Sequence, residues 1–111
     1  MAYDEALAAR IRDLVGAEPG VSEQRMFGGL AFLVDGSMAV AASREGRILV
    51  RVDPAEADPL LDDPRVEPME MRGRAMKGWL LVDAEAVGSE EQLEGWVRRG
   101  VAYARSLPPK R

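Results

Sequence analysis

Five consecutive apolar residues, Leu30-Ala31-Phe32-Leu33-Val34, run directly into Asp35-Gly36. Asp-Gly reaches positive φ cheaply, which is what a two-residue turn between antiparallel strands demands. The run therefore reads as a strand that turns back in a hairpin. It is apolar at every position instead of every second one, so both of its faces must be covered. One cover is expected to be a helix, the other a second helix or a partner subunit.

The rest of the chain supplies elements that fit around this strand. Tyr3, Leu7, Ile11, Leu14 and Val15 recur at helical spacing, predicting a helix over 4–15 with Asp4 as N-cap and Gly16 as stop. Val21 to Gln24 leads into the central stretch, where Gly28-Gly29 suits a bulge or a close backbone approach, or else a small anion-binding nest beside Arg25. After the Asp35-Gly36 turn, the small residues of Met38-Ala39-Val40-Ala41-Ala42 suggest a strand beneath a closely packed helix. Ile48 to Val52 completes a three-stranded meander, with Ile48, Val50 and Val52 on one face and Leu49 and Arg51 on the other. Arg51 is expected to be ion-paired or to point into a groove.

Asp53-Pro54-Ala55-Glu56 has the form of a helix start, and the helix should bring Leu60 and Leu61 to the core. Pro59 predicts that it is kinked or truncated. Val66 to Met71, interrupted by Pro68, reads as an edge strand. Gly73-Arg74-Ala75-Met76-Lys77-Gly78 reads as a basic loop leading into a strand at Trp79 to Val82. A capping box, Ser89-x-x-Gln92, opens a last helix lined by Leu93, Trp96, Val97, Gly100, Val101 and Ala104, and Pro108-Pro109 ends it. The expected architecture is α+β, an antiparallel sheet in the order α-β-β-β-α-β-β-α. Residues 1–111 form one domain, with 108–111 a short basic tail.

Composition narrows the chemistry. The chain has no histidine and no cysteine, which removes the commonest general base, the thiolate nucleophile and the usual transition-metal ligands together. No enzyme, cofactor or metal site is expected. No apolar stretch approaches the roughly 20 residues of a membrane span, and the N-terminus lacks a signal-like pattern, so a cytoplasmic location is expected. A net charge of −4 opposes nonspecific nucleic-acid coating. Arg98, Arg99, Arg105, Lys110 and Arg111 nevertheless cluster at the C-terminal end without an acid among them.

Two separated motifs, Arg25-Met26-Phe27-Gly28-Gly29 with Asp35-Gly36-Ser37-Met38-Ala39, and Gly73-Arg74-Ala75-Met76-Lys77-Gly78-Trp79, resemble the N-terminal domain of the TfoX/Sxy family. The likeness extends over nearly the whole chain. It implies a fold similar to the secretion-chaperone-like α+β class and kinship to regulators of natural competence that act at promoters. Those regulators look like two-domain proteins, whereas this sequence reads as the N-terminal domain standing alone.

The leading expectation is a non-enzymatic interaction module that binds a protein partner or itself, in a homodimer, in a transcriptional context. Its candidate residues are Arg25, Met26, Phe27, Gly28, Gly29, Arg74, Met76 and Lys77, with Arg25, Arg74 and Lys77 converging as a cationic patch. Met38, Met69 and Met71 join them as adaptable side chains that fill cores or line binding surfaces. The alternative is weak DNA or RNA binding through Arg98, Arg99, Arg105, Lys110 and Arg111. Trp79 and Trp96 read as anchors of the interface between sheet and helices.

Overall fold

In the computed structural model of the chain, residues 3–26 and 28–108 are described. Phe27, Pro109, Lys110, Arg111 and the Met71 side chain lie outside the described residues. Helix α1, Glu5–Val15, starts where Asp4 accepts a 3.0 Å hydrogen bond from the Leu7 amide, satisfying an amide that every helix start leaves unpaired. Leu7, Ala8, Ile11 and Val15 form its buried stripe. Strands β1 (Val21–Met26), β2 (Gly29–Val34), β3 (Ser37–Ala42) and β4 (Ile48–Arg51) then make an antiparallel meander. Asp35 at φ 51° and Gly36 at φ 86° form the turn that their sequence predicts.

The meander has four strands where the sequence suggested three. β1 was hidden because Ser22, Glu23, Gln24 and Arg25 are all exposed, so its pairing with β2 leaves no apolar alternation to read. Helix α2, Pro54–Leu60, follows the Asp53 cap and is only seven residues long, with Pro59 inside its last turn. The hairpin of β5 (Val66–Met71) and β6 (Arg74–Val82) comes next, then helix α3, Glu90–Ser106, whose capping box is complete. The expected basic loop over 73–78 is corrected here. Arg72 and Gly73, at φ 55° and 78°, make the turn, and Arg74 to Lys77 already belong to β6.

The six strands lie in the order β1-β2-β3-β4-β6-β5. Leu30 and Phe32 of β2, Val40 of β3, Ile48 and Val50 of β4 and Leu80 of β6 share one core with Leu7 and Ile11 of α1, Ala57 of α2 and Leu93 and Val97 of α3. All three helices therefore cover one face of the sheet. A bulge in β3 between its pairings with Phe32 and Leu33 brings Ala39 under α3. There a Cβ on Gly100 would overlap the Ala39 carbonyl oxygen and stand 2.8 Å from Val40 Cγ1. The small residues of β3 do lie beneath a closely packed helix.

Trp96 is half-buried against this core, and the Arg99 guanidinium lies 5.2 Å from the centre of its ring. Truncating a partly buried indole removes a large apolar contact, so Trp96→Ala is expected to cost about 2 to 3 kcal/mol. Arg99 is exposed, and Arg99→Ala should stay within about 0.5 to 1 kcal/mol. Equal urea midpoints for the two variants would mean that α3 is rotated from this position.

Candidate functional site

The opposite face of the sheet carries no helix among the described residues. Alternation puts Ala31 and Leu33 of β2, Met38 and Ala41 of β3 and Leu49 of β4 there as a second apolar cluster, flanked by Met26, Met69, Trp79 and Leu81. The sequence required a cover for this side of β2 and expected a helix or a partner. Within the chain itself, that cover is the sheet's own long side chains, which close over alanines small enough to be shielded by them. Ala31 and Ala41 are 0% and 1% exposed.

Where that cover is incomplete, a groove of about 640 Å³ opens between the two ends of the strand order. Every strand lines it: Met26 from β1, Gly29 from β2, Ala41 from β3, Leu49 from β4, Pro68 and Met69 from β5, and Leu81 from β6. Gly29 is required where it stands, since a Cβ there would collide with the Ala42 carbonyl oxygen. This is the close backbone approach for which the Gly pair suits; Gly28 itself is exposed and touches nothing at its Cβ position. Glu67 and Glu70 give the groove an acidic side. Arg47 reaches Glu67 at 3.7 Å, while its Nε is buried with no hydrogen-bond partner among the described residues.

The sequence candidates divide. Met26 and Gly29 line the groove, together with Met69. Arg25, Arg74 and Lys77 do not converge, and the cationic patch is corrected. Strand pairing sets Arg25 level with Leu30, Ala42, Ile48 and Val82, whereas Arg74 and Lys77 occupy the other end of β6. Four strand spacings alone separate them by on the order of 20 Å. Met76 is half-buried on the same far stretch of β6. Sequence reasoning missed Leu49, Leu81 and Pro68 as groove residues, because each reads as an ordinary strand position until the other strands are placed around it.

The C-terminal cations are mostly engaged within the chain. Arg105 donates to Glu18 at 2.8 Å and to the Pro19 carbonyl at 3.0 Å, tying the end of α3 to the loop before β1. Arg98 pairs with Glu94 at 3.2 Å one turn away, and Arg99 lies over Trp96. Arg51, expected to be ion-paired or in a groove, has its guanidinium 4.9 Å from the Trp79 ring centre and 5.5 Å from that of Tyr103. Both contacts are within cation–π range. Trp79 thus belongs to the helix-free side and to Arg51, not to the interface between sheet and helices.

The Asp63 carboxyl is drawn well below its ordinary value, down to about 2, by side-chain and backbone hydrogen bonds from Arg65. It holds the turn into β5. Among the described residues no group of three or more acidic side chains is placed to hold a metal ion, and no helix is long and apolar enough to cross a membrane.

A two-layer α+β domain with three helices on one sheet face and a grooved, helix-free face opposite defines the class of this protein. A family model for the TfoX N-terminal domain matches residues 13–104, most of the chain. The chain belongs to the TfoX N-terminal domain family. No curated protein matches it.

Proposed function

We propose that this chain is a non-enzymatic protein-interaction module whose docking surface is the groove on the helix-free face. The observation that carries the reading is the lining itself: an apolar floor drawn from all six strands, with methionines on its two flanks. Methionine adapts to varied apolar partners at little conformational cost. Its acidic side, Glu67 and Glu70, suits a segment that inserts an aliphatic side chain and carries a Lys or Arg beside it. The partner is a protein of the transcriptional context to which the competence regulators belong. Engagement of Arg98, Arg99 and Arg105 within the chain argues against nucleic acid as the primary ligand.

Selection of random peptides displayed on phage against the purified chain tests this. Peptides pairing an aliphatic with a basic residue should be enriched, should shift the amide resonances of Met69 and Leu81, and should lose binding at least tenfold to Met69→Glu. Met69 is partly exposed, so a fold check by circular dichroism suffices for that variant. Failure to enrich any peptide, or resonance shifts confined to α3, would overturn the reading.

A further inference from the structure

The two edges of the sheet are not equivalent. In the β5–β6 pair, the Asp83 amide donates to the Arg65 carbonyl at 2.8 Å. Antiparallel alternation then points the backbone of Glu67 toward β6 and that of Pro68 outward. Proline has no N–H, so this edge cannot offer a full ladder to another strand. In the β1–β2 pair, the Asp35 amide donates to the Gly20 carbonyl at 3.0 Å. The same alternation turns the N–H and C=O groups of Val21, Glu23 and Arg25 outward along β1. That edge is open.

We infer that β1 is a self-pairing edge, on which a second copy of this chain docks its own β1 antiparallel about a two-fold axis at Gln24. This goes beyond the groove reading, because it uses a different surface and a different partner. The register is selected by charge. Centred on Gln24, each Glu23 lies directly opposite Arg25 of the other copy, on the same face as Arg12. Both residues point their backbones outward, so the two pairs close four main-chain hydrogen bonds. A shift of two residues in either direction keeps the hydrogen-bond pattern but opposes Glu23 to Glu23 or Arg25 to Arg25, which is repulsive. Arg12 already grips Glu23 at 2.6 and 2.9 Å and holds it ionised and oriented. Arg25 is exposed and makes no side-chain hydrogen bond or ion pair among the described residues. Its charge is left for the second copy.

Cysteine scanning reads the register directly, since the chain contains no cysteine. At the axis, two copies of residue 24 face each other as a non-hydrogen-bonded pair about 4.5 Å apart at Cα, close enough for a disulfide. Gln24→Cys should cross-link under mild oxidation, whereas Ser22→Cys, on the order of 13 Å from its own copy, should not. Sedimentation supplies the second arm. Arg25→Glu alone and Glu23→Arg alone should each weaken self-association about tenfold or more, and an equimolar mixture should restore it, because every cross-strand pair is then again opposite in charge. A wild-type chain that stays monomeric at millimolar concentration, equal cross-linking at 22 and 24, or no restoration on mixing would overturn the inference. Arg25 does not line the groove, so peptide binding there should be unchanged by Arg25→Glu and the two readings fail separately.

Discussion

Phe32→Ala should lower the free energy of unfolding by about 3 to 5 kcal/mol, a large share of the roughly 5 to 15 kcal/mol that holds a domain of this size together. Phe32 is 1% exposed and is the largest fully buried side chain among the described residues. It stands at the centre of the core formed between the meander and the helices, opposite Val40 across the β2–β3 pair. Its removal leaves a cavity between elements that are fixed by backbone pairing and cannot collapse to fill it. Urea denaturation should show the midpoint falling with little change in slope. A loss below about 1 kcal/mol would mean that the helices do not rest on this residue.

Gly100→Ala should destabilise by about 1 to 3 kcal/mol, the range for forcing atoms into a filled interior. Helix propensity alone predicts the opposite sign, since alanine is favoured over glycine by about 1 kcal/mol within a helix. Geometry decides it: the added Cβ meets the Ala39 carbonyl and Val40 Cγ1, and a carbonyl fixed in a sheet does not yield as the tip of a flexible side chain would. Gly95 lies in the same helix with nothing within 4 Å of its Cβ position. Gly95→Ala should therefore stabilise by about 0.5 to 1 kcal/mol. Thermal melts that move in opposite directions for the two variants would establish how closely α3 is seated on the bulge of β3.

The membership and the element types were legible because they are written in short-range chemistry. The Asp35-Gly36 turn, the Asp4 and Asp53 caps, the Ser89-Gln92 capping box and the helical stripe through Leu93 and Val97 each depend on residues within a few positions of one another. The edge position of Val66–Met71 was legible for the same reason, since Pro68 carries its own exclusion from a central strand. Strand β1 was not. Its exposed side chains leave no periodic mark, and only the partner across the hairpin turns it into a strand.

What the sequence by itself determined is therefore the inventory: an α+β domain of the TfoX N-terminal family, the starts of its helices, the Asp35-Gly36 turn and most of its core residues. Only the tertiary structure decided which face each helix covers, that no helix among the described residues lies on the other, grooved face, and that Arg25 and Arg74 lie far apart while Met26 and Met69 flank one groove. The physical reason is range. Caps, turns and periodicity act between neighbours in the chain, whereas the groove and the open edge exist only through the pairing order of six strands, which few local signals encode.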